Sequence, residues 1–190
     1  GCTLFMLLSS ALKIMLCQHT GQRDIPIGTA VAGRPRRELE GVVGCFINTL
    51  VLRTDLSRDP TFREALRRER EVALGAFQHP ELPFQQLVHE LQPQRDLTRP
   101  PLFQVFFALH HATHEAPQPR ALVVQPWRVH APTVTLDLVL EAIVSADGLR
   151  LELAYSSSVF DRSTAARMLE DLEAVLAHLR ADPDHRIFAS

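Results

Sequence analysis

An α/β fold of two layers, helices packed on a mixed sheet, is what this sequence predicts, and three observations carry the prediction. Residues 136–155 alternate apolar and polar side chains on either side of Asp147-Gly148, the pattern of a β-hairpin. Helix-spaced apolar residues recur near the start of the chain, in its middle and at its end, with β-like runs between them. A hairpin beside helical crossovers requires antiparallel and parallel pairing in one sheet.

The elements follow in order. Leu4, Leu7, Leu8, Ala11, Leu12, Met15 and Leu16 predict a well-buried helix ending near His19 or Gly21. Asp24 to Gly28 reads as a short strand, Arg34 to Glu40 as an irregular charged loop, and Val42 to Arg53 as a strand. Asp59-Pro60 predicts a helix start, with Phe62, Leu66, Val72, Ala73 and Ala76 on its apolar face and the arginines and glutamates on the other. A shorter helix is expected after Pro83, through Phe84, Leu87, Val88 and Leu91. Leu102 to Leu109 is a nearly continuous apolar run, suited to a strand covered on both faces. Residues 111–120 read as a loop and Leu122 to Trp127 as a weak strand. After the hairpin, Asp161 or Ser163 opens an amphipathic helix through Met168, Leu172, Val175 and Leu179.

A length of 190 residues fits one core, and 46% hydrophobic with 22% charged residues is an ordinary globular profile. Lys plus Arg number 20 against 22 Asp plus Glu, so no basic excess exists to bind nucleic acid. The arginines at 34–37 and 67–70 are diluted by neighbouring glutamates and read as solvated faces. Cys2, Cys17 and Cys45 form no C-x-x-C pair, which argues against a disulfide framework or zinc site; Cys2 and Cys17 are expected to be buried thiols. The run from Leu4 to Cys17 is too short to cross a bilayer, and a cytoplasmic setting is expected. The helical pattern begins almost at once after Gly1, as expected of a piece of a longer chain.

No catalytic constellation emerges from the residues alone. His110-His111 with His114 and Glu115 resembles a metal cluster, but adjacent strand residues point to opposite faces, so a strand end entering a polar loop is the expected reading. Gly28, Gly33 and Gly44 do not form a phosphate-binding fingerprint. Asn48-Thr49 sits in a β-like run, where Asn48 is either a buried structural amide or a substrate-facing one. Arg95-Asp96 and Arg99 are expected to lock a loop by pairing or to meet an acidic partner, and Trp127 and Phe84 are expected to pack.

Three ordered motifs add a resemblance. Val43-Gly44-Cys45-Phe46-Ile47-Asn48-Thr49-Leu50, with Arg53 three residues later, resembles a motif of nonribosomal peptide synthetase condensation domains built on Gly, Phe, Asn and Thr. His79-Pro80-Glu81-Leu82-Pro83-Phe84-Gln85 is similar to the family segment leading into Pro-Phe, with Pro80-Glu81 where Gln-Asp is usual. Arg95-Asp96-Leu97-Thr98-Arg99-Pro100-Pro101-Leu102-Phe103-Gln104 resembles the following Arg-Asp to Pro-Leu-Phe-Gln motif. Ile27-Gly28-Thr29, Ala32-Gly33-Arg34 and Leu136-Asp137-Leu138 extend the resemblance over almost the whole chain.

The resemblance implies the C-terminal lobe, residues 1–190, of a chloramphenicol-acetyltransferase-like domain. In that family two lobes enclose a channel where carrier-bound aminoacyl or peptidyl thioesters are joined. It implies no catalytic residue and no metal here, since the family's histidine pair belongs to the N-terminal lobe. Gly44, Phe46, Asn48 and Thr49 are implied to line the channel or to build its structural motif. Gly33, Arg34, Pro83, Phe84, Arg95, Asp96, Arg99, Phe103 and Gln104 are implied to scaffold it. The implied partners are an N-terminal condensation lobe and peptidyl carrier proteins, and the only cofactor is phosphopantetheine borne by those carriers. Alone, the fragment is expected to show an apolar patch or to pair with a second copy. Epimerisation, cyclisation and noncatalytic recruitment remain alternatives within the resemblance.

Overall fold

The computed structural model describes residues 1–34, 36–93, 99–111 and 135–188. It contains helices α1 (Leu4–Thr20), α2 (Phe62–Phe77), α3 (Phe84–Leu91) and α4 (Arg162–Ala181). Its strands are β1 (Asp24–Val31), β2 (Asn48–Asp55), β3 (Val105–His111), β4 (Leu138–Ser145) and β5 (Gly148–Tyr155). The sheet runs β2-β1-β3-β4-β5. Its two inner seams, β1/β3 and β3/β4, are parallel, and its outer seams, β1/β2 and β4/β5, are antiparallel. The mixed sheet is as the sequence predicts, and the Asp147-Gly148 hairpin pairs Leu138 with Tyr155 through Ser145 with Gly148.

Helix α1 is buried along nearly its whole length, between α2, α4 and the sheet. Thr3 caps its start by accepting from the Met6 amide, and Gly21 closes it in the left-handed conformation. Ile25, Ile27, Leu52, Phe107, Leu138 and Leu140 meet Leu8, Leu12, Ile14 and Met15 in the core, which α4 completes with Met168, Leu172 and Val175. Phe5 bridges helix and sheet layers, its ring 5.1 Å from that of Phe107.

Several expectations need correction. The strand expected from Val42 begins only at Asn48, because residues 42–47 form an exposed loop held by side-chain bonds described below. Helix α2 starts after Thr61, not at Asp59-Pro60. Thr61 accepts from the Glu64 amide while Glu64 accepts from the Thr61 amide, a reciprocal capping box. The next free amides are satisfied from the C-terminal tail, Phe62 N donating to His185 O and Arg63 N to Pro183 O. Cys2 is exposed and precedes α1, whereas Cys17 is buried. The 34–40 segment includes a 3-10 turn at Arg37–Leu39. Of the loop expected at 111–120, His111 belongs to β3, and the rest, like the strand expected at 122–127, lies outside the described residues.

The sequence places Glu69 on the solvated face of α2 and makes Lys13 an interruption of an apolar helix. In the fold both are wholly buried and joined to each other. Glu69 Oε2 accepts from Lys13 Nζ and Thr54 Oγ1, each at 2.6 Å, and Oε1 accepts from Ser9 Oγ at 2.5 Å. Lys13 also donates to Thr54 Oγ1 at 2.8 Å. Burial pushes the Lys13 amine below the ordinary lysine value, with Glu69 opposing that shift.

Candidate functional site

Residues from three separated motifs meet at one end of the sheet. Asn48 opens β2, paired in register with Val31 at the end of β1. Its side chain reaches into the turn between α2 and α3: Nδ2 donates to Pro80 O at 2.9 Å and Leu82 O at 2.7 Å, while Oδ1 accepts from Phe84 N at 3.1 Å. Pro83 is the N-cap of α3, where extended backbone and a missing amide suit the position. Phe84 is thus fixed at the first helical turn.

The Phe84 ring stands 5.6 Å from that of Phe103, which is 6.2 Å from that of Phe106. Phe103 is buried directly over Gly28 of β1, so close that a Cβ on Gly28 would lie 2.3 Å from a carbon of its ring. Strand alternation puts this contact on the sheet face opposite Ile27, away from α1. Gln104 links the assembly to β4: its carbonyl accepts from the Asp137 and Leu138 amides, and its Nε2 donates to Pro100 O at 3.2 Å.

A second cluster shapes the loop before β2. Gly33 has φ +61°, and any Cβ at this position would collide with the Phe46 carbonyl oxygen. Arg34 donates to Leu39 O through Nη1 and to Gly44 O through Nη2, the latter at 3.1 Å. Its guanidinium also covers the Phe46 ring, 4.3 Å from the centroid. These contacts bind the two ends of the loop and leave Val42, Val43 and Ile47 exposed, with Leu82 exposed on the clasped turn.

The structure therefore joins Gly33, Arg34, Gly44 and Phe46 in one cluster, and Asn48, Pro83, Phe84 and Phe103 in another, with Gln104 adjoining. Thr49 lies beside Asn48 on β2, in register with Ala30. Arg99 is exposed, and Arg95 and Asp96 lie outside the described residues. The sequence reading misses Gly28 as the seat for Phe103, although a glycine inside a strand run signals close approach.

His110 and His111 end β3 and are exposed, with His110 Nε2 3.9 Å from Glu141 Oε1. His114 and Glu115 lie outside the described residues. Among the described residues no group of three His, Cys, Asp or Glu side chains is placed to hold a metal, and no helix is long and apolar enough to cross a membrane.

Comparison with known proteins gives the family and the fold. The condensation domain family model matches residues 1–189. The chain is 47% identical over 189 residues to a linear gramicidin synthase of Brevibacillus parabrevis, covering 98% of this chain and 4% of that protein. Tyrocidine synthase 3 of the same organism is 37% identical over 184 residues, covering 97% of this chain and 3% of that protein. Among solved structures, the four-domain nonribosomal peptide synthetase holo-AB3403 aligns with a TM-score of 0.87 and 28% identity, over 97% of this chain and 15% of that one. The chain belongs to the condensation-domain family of nonribosomal peptide synthetases, with its chloramphenicol-acetyltransferase-like fold. It spans a few per cent of the length of the large synthetases it matches, 4% for the gramicidin synthase.

Proposed function

We propose that residues 1–190 form the C-terminal lobe of a condensation domain and supply one wall of the cleft in which two carrier-tethered thioesters are joined. The amine of the acceptor attacks the donor thioester, an amide forms, and the donor carrier's thiol leaves. The base for this step comes from an N-terminal lobe bearing the paired histidines; this lobe holds the geometry. The phosphopantetheine arms belong to peptidyl carrier proteins that dock on the assembled domain. Fixing two long arms in a productive approach contributes to rate even when the proton-transfer group is elsewhere.

The observation that carries this reading is the assembly formed by Asn48, Phe84 and Phe103, three motif residues far apart in sequence. The likeness to peptide synthetases over 98% of the chain supports it. The test supplies donor- and acceptor-loaded carriers to this polypeptide with and without an N-terminal lobe, and follows the dipeptidyl thioester by mass spectrometry. Product is expected only with both lobes. Robust product from residues 1–190 alone would sink the reading.

A second reading has its own support. The X-domain from teicoplanin biosynthesis aligns with a TM-score of 0.85 and 32% identity over 98% of this chain, and an X-domain was also solved in complex with OxyB, at 33% identity. On this reading the parent domain recruits a partner protein and forms no peptide bond. No dipeptidyl product with both lobes present, together with saturable binding of a tailoring enzyme, would select it.

A further inference from the structure

We infer that Asn48 is a positioning residue, a clasp that sets the turn between α2 and α3 and through it the Phe84-Phe103 face, and that its amide donors do not serve the thioester arms. The inference rests on the condensation reading above for its effect on transfer, and on the geometry alone for the clasp.

Hydrogen-bond capacity decides the matter. An asparagine amide has two donors on Nδ2 and an oxygen with two lone pairs, and here it is the donors that are exhausted. Both donor directions are taken by main-chain carbonyls, Pro80 O at 2.9 Å and Leu82 O at 2.7 Å, and the oxygen receives the Phe84 amide at 3.1 Å. The opposite amide orientation would set an oxygen against two carbonyl oxygens, so the arrangement fixes which atom is which. A substrate carbonyl could take a donor from Asn48 only by displacing one of these bonds and releasing the turn.

What the clasp holds is specific. The Phe84 amide lies in the first turn of α3, where no intrahelical carbonyl is available to it, and Asn48 supplies the acceptor. The Phe84 ring meets Phe103, and Phe103 is seated on Gly28. Asn48 thereby connects the start of β2 to the middle of β1 through α3. Loss of the clasp shifts a wall of the cleft without removing an atom that touches substrate.

Hydrogen exchange and steady-state transfer in the full-length synthetase carrying this chain test the inference together. Asn48→Ala and Asn48→Asp are compared, the aspartate keeping the shape and the acceptor but losing both donors. In the resting protein, with its carriers unloaded, exchange across residues 79–87 should quicken about tenfold in both variants while other segments keep their protection. For transfer, kcat should fall about tenfold with KM for either loaded carrier within about twofold. Phe84→Leu, which keeps the clasp and removes the ring contact, should reproduce the kcat loss without the faster exchange.

Unchanged exchange at 79–87 in both Asn48 variants overturns the clasp, whatever happens to transfer. Normal kcat in the variants, despite faster exchange, overturns the positioning role. If the wild-type protein forms no dipeptidyl thioester, the condensation reading fails, and the exchange comparison still decides the clasp. Should Asn48→Ala not fold, Asn48→Asp and Phe84→Leu carry the same comparison.

Discussion

Lys13 Nζ lies 2.6 Å from Glu69 Oε2, and neither side chain is exposed to solvent at all. The pair joins α1 to α2, and Thr54 ties both to β2. A buried ion pair is a weak source of net stability, because desolvation of both charges offsets their attraction, but loss of one partner strands the other. Lys13→Met should therefore cost about 3–5 kcal/mol, while Lys13→Met combined with Glu69→Leu costs less, its remaining cost coming from the Ser9 and Thr54 hydroxyls that lose their partners. Urea unfolding of the single and double variants measures the difference; a double variant as unstable as the single would refute the account.

Gly33 gives a backbone prediction. Its φ of +61° and its contact with the Phe46 carbonyl leave no space for a methyl group. Gly33→Ala should lose about 1–3 kcal/mol from strain alone and loosen the loop that Arg34 binds together. Trypsin cleavage after Arg36 and Arg37 should accelerate, whereas Gly75→Ala, on open space in α2, should leave it unchanged.

Ser10 offers the opposite sign. Among the described residues its Oγ is the buried side-chain atom without a hydrogen-bond partner. Ser10→Ala removes an unsatisfied polar group and favours the helix at once, so unfolding midpoints should hold or rise by the equivalent of about 1 kcal/mol. A clear loss of stability would mean that the hydroxyl is satisfied in solution.

Asp161 sets a pH dependence. Bonds from the Thr164 amide and the Ser163 hydroxyl hold its carboxyl below the ordinary aspartate value in the folded chain. Because the folded value is the lower one, this contribution is complete above the unfolded value and is lost as pH falls through the folded one. The stability advantage of the wild type over Asp161→Asn should be present at neutral pH and shrink below about pH 4. Denaturation midpoints of both proteins across that range give the answer, and a constant gap would contradict it.

Local patterns make much of the fold legible. The hairpin at 138–155, α1 with its Gly21 cap and α4 with its Asp161 cap depend on neighbours in sequence, and each stands close to where its residues predict it. The Asp59-Pro60 start fails because the Thr61-Glu64 box, three residues apart, is the stronger signal. Glu69 is misread as solvated because its pairing with Lys13, 56 residues away, leaves no local trace; a lone lysine in an apolar helix is the available hint. The site motifs are readable as words, yet their joining through the Asn48 amide and the Phe103 seat on Gly28 depends on which strands are neighbours. That order is a property of the completed sheet.

Strand order also has a kinetic consequence. β4 and β5 are joined by a tight turn and can pair as soon as they leave the ribosome or the denaturant, whereas β3 must be received between β1 and β4, each distant in sequence. Loop closure delays such non-local parallel seams, so β3 should be the last strand to enter. Until it does, Phe107 has no wall to meet, and two half-sheets with unpaired backbone edges wait for the piece that turns them into one.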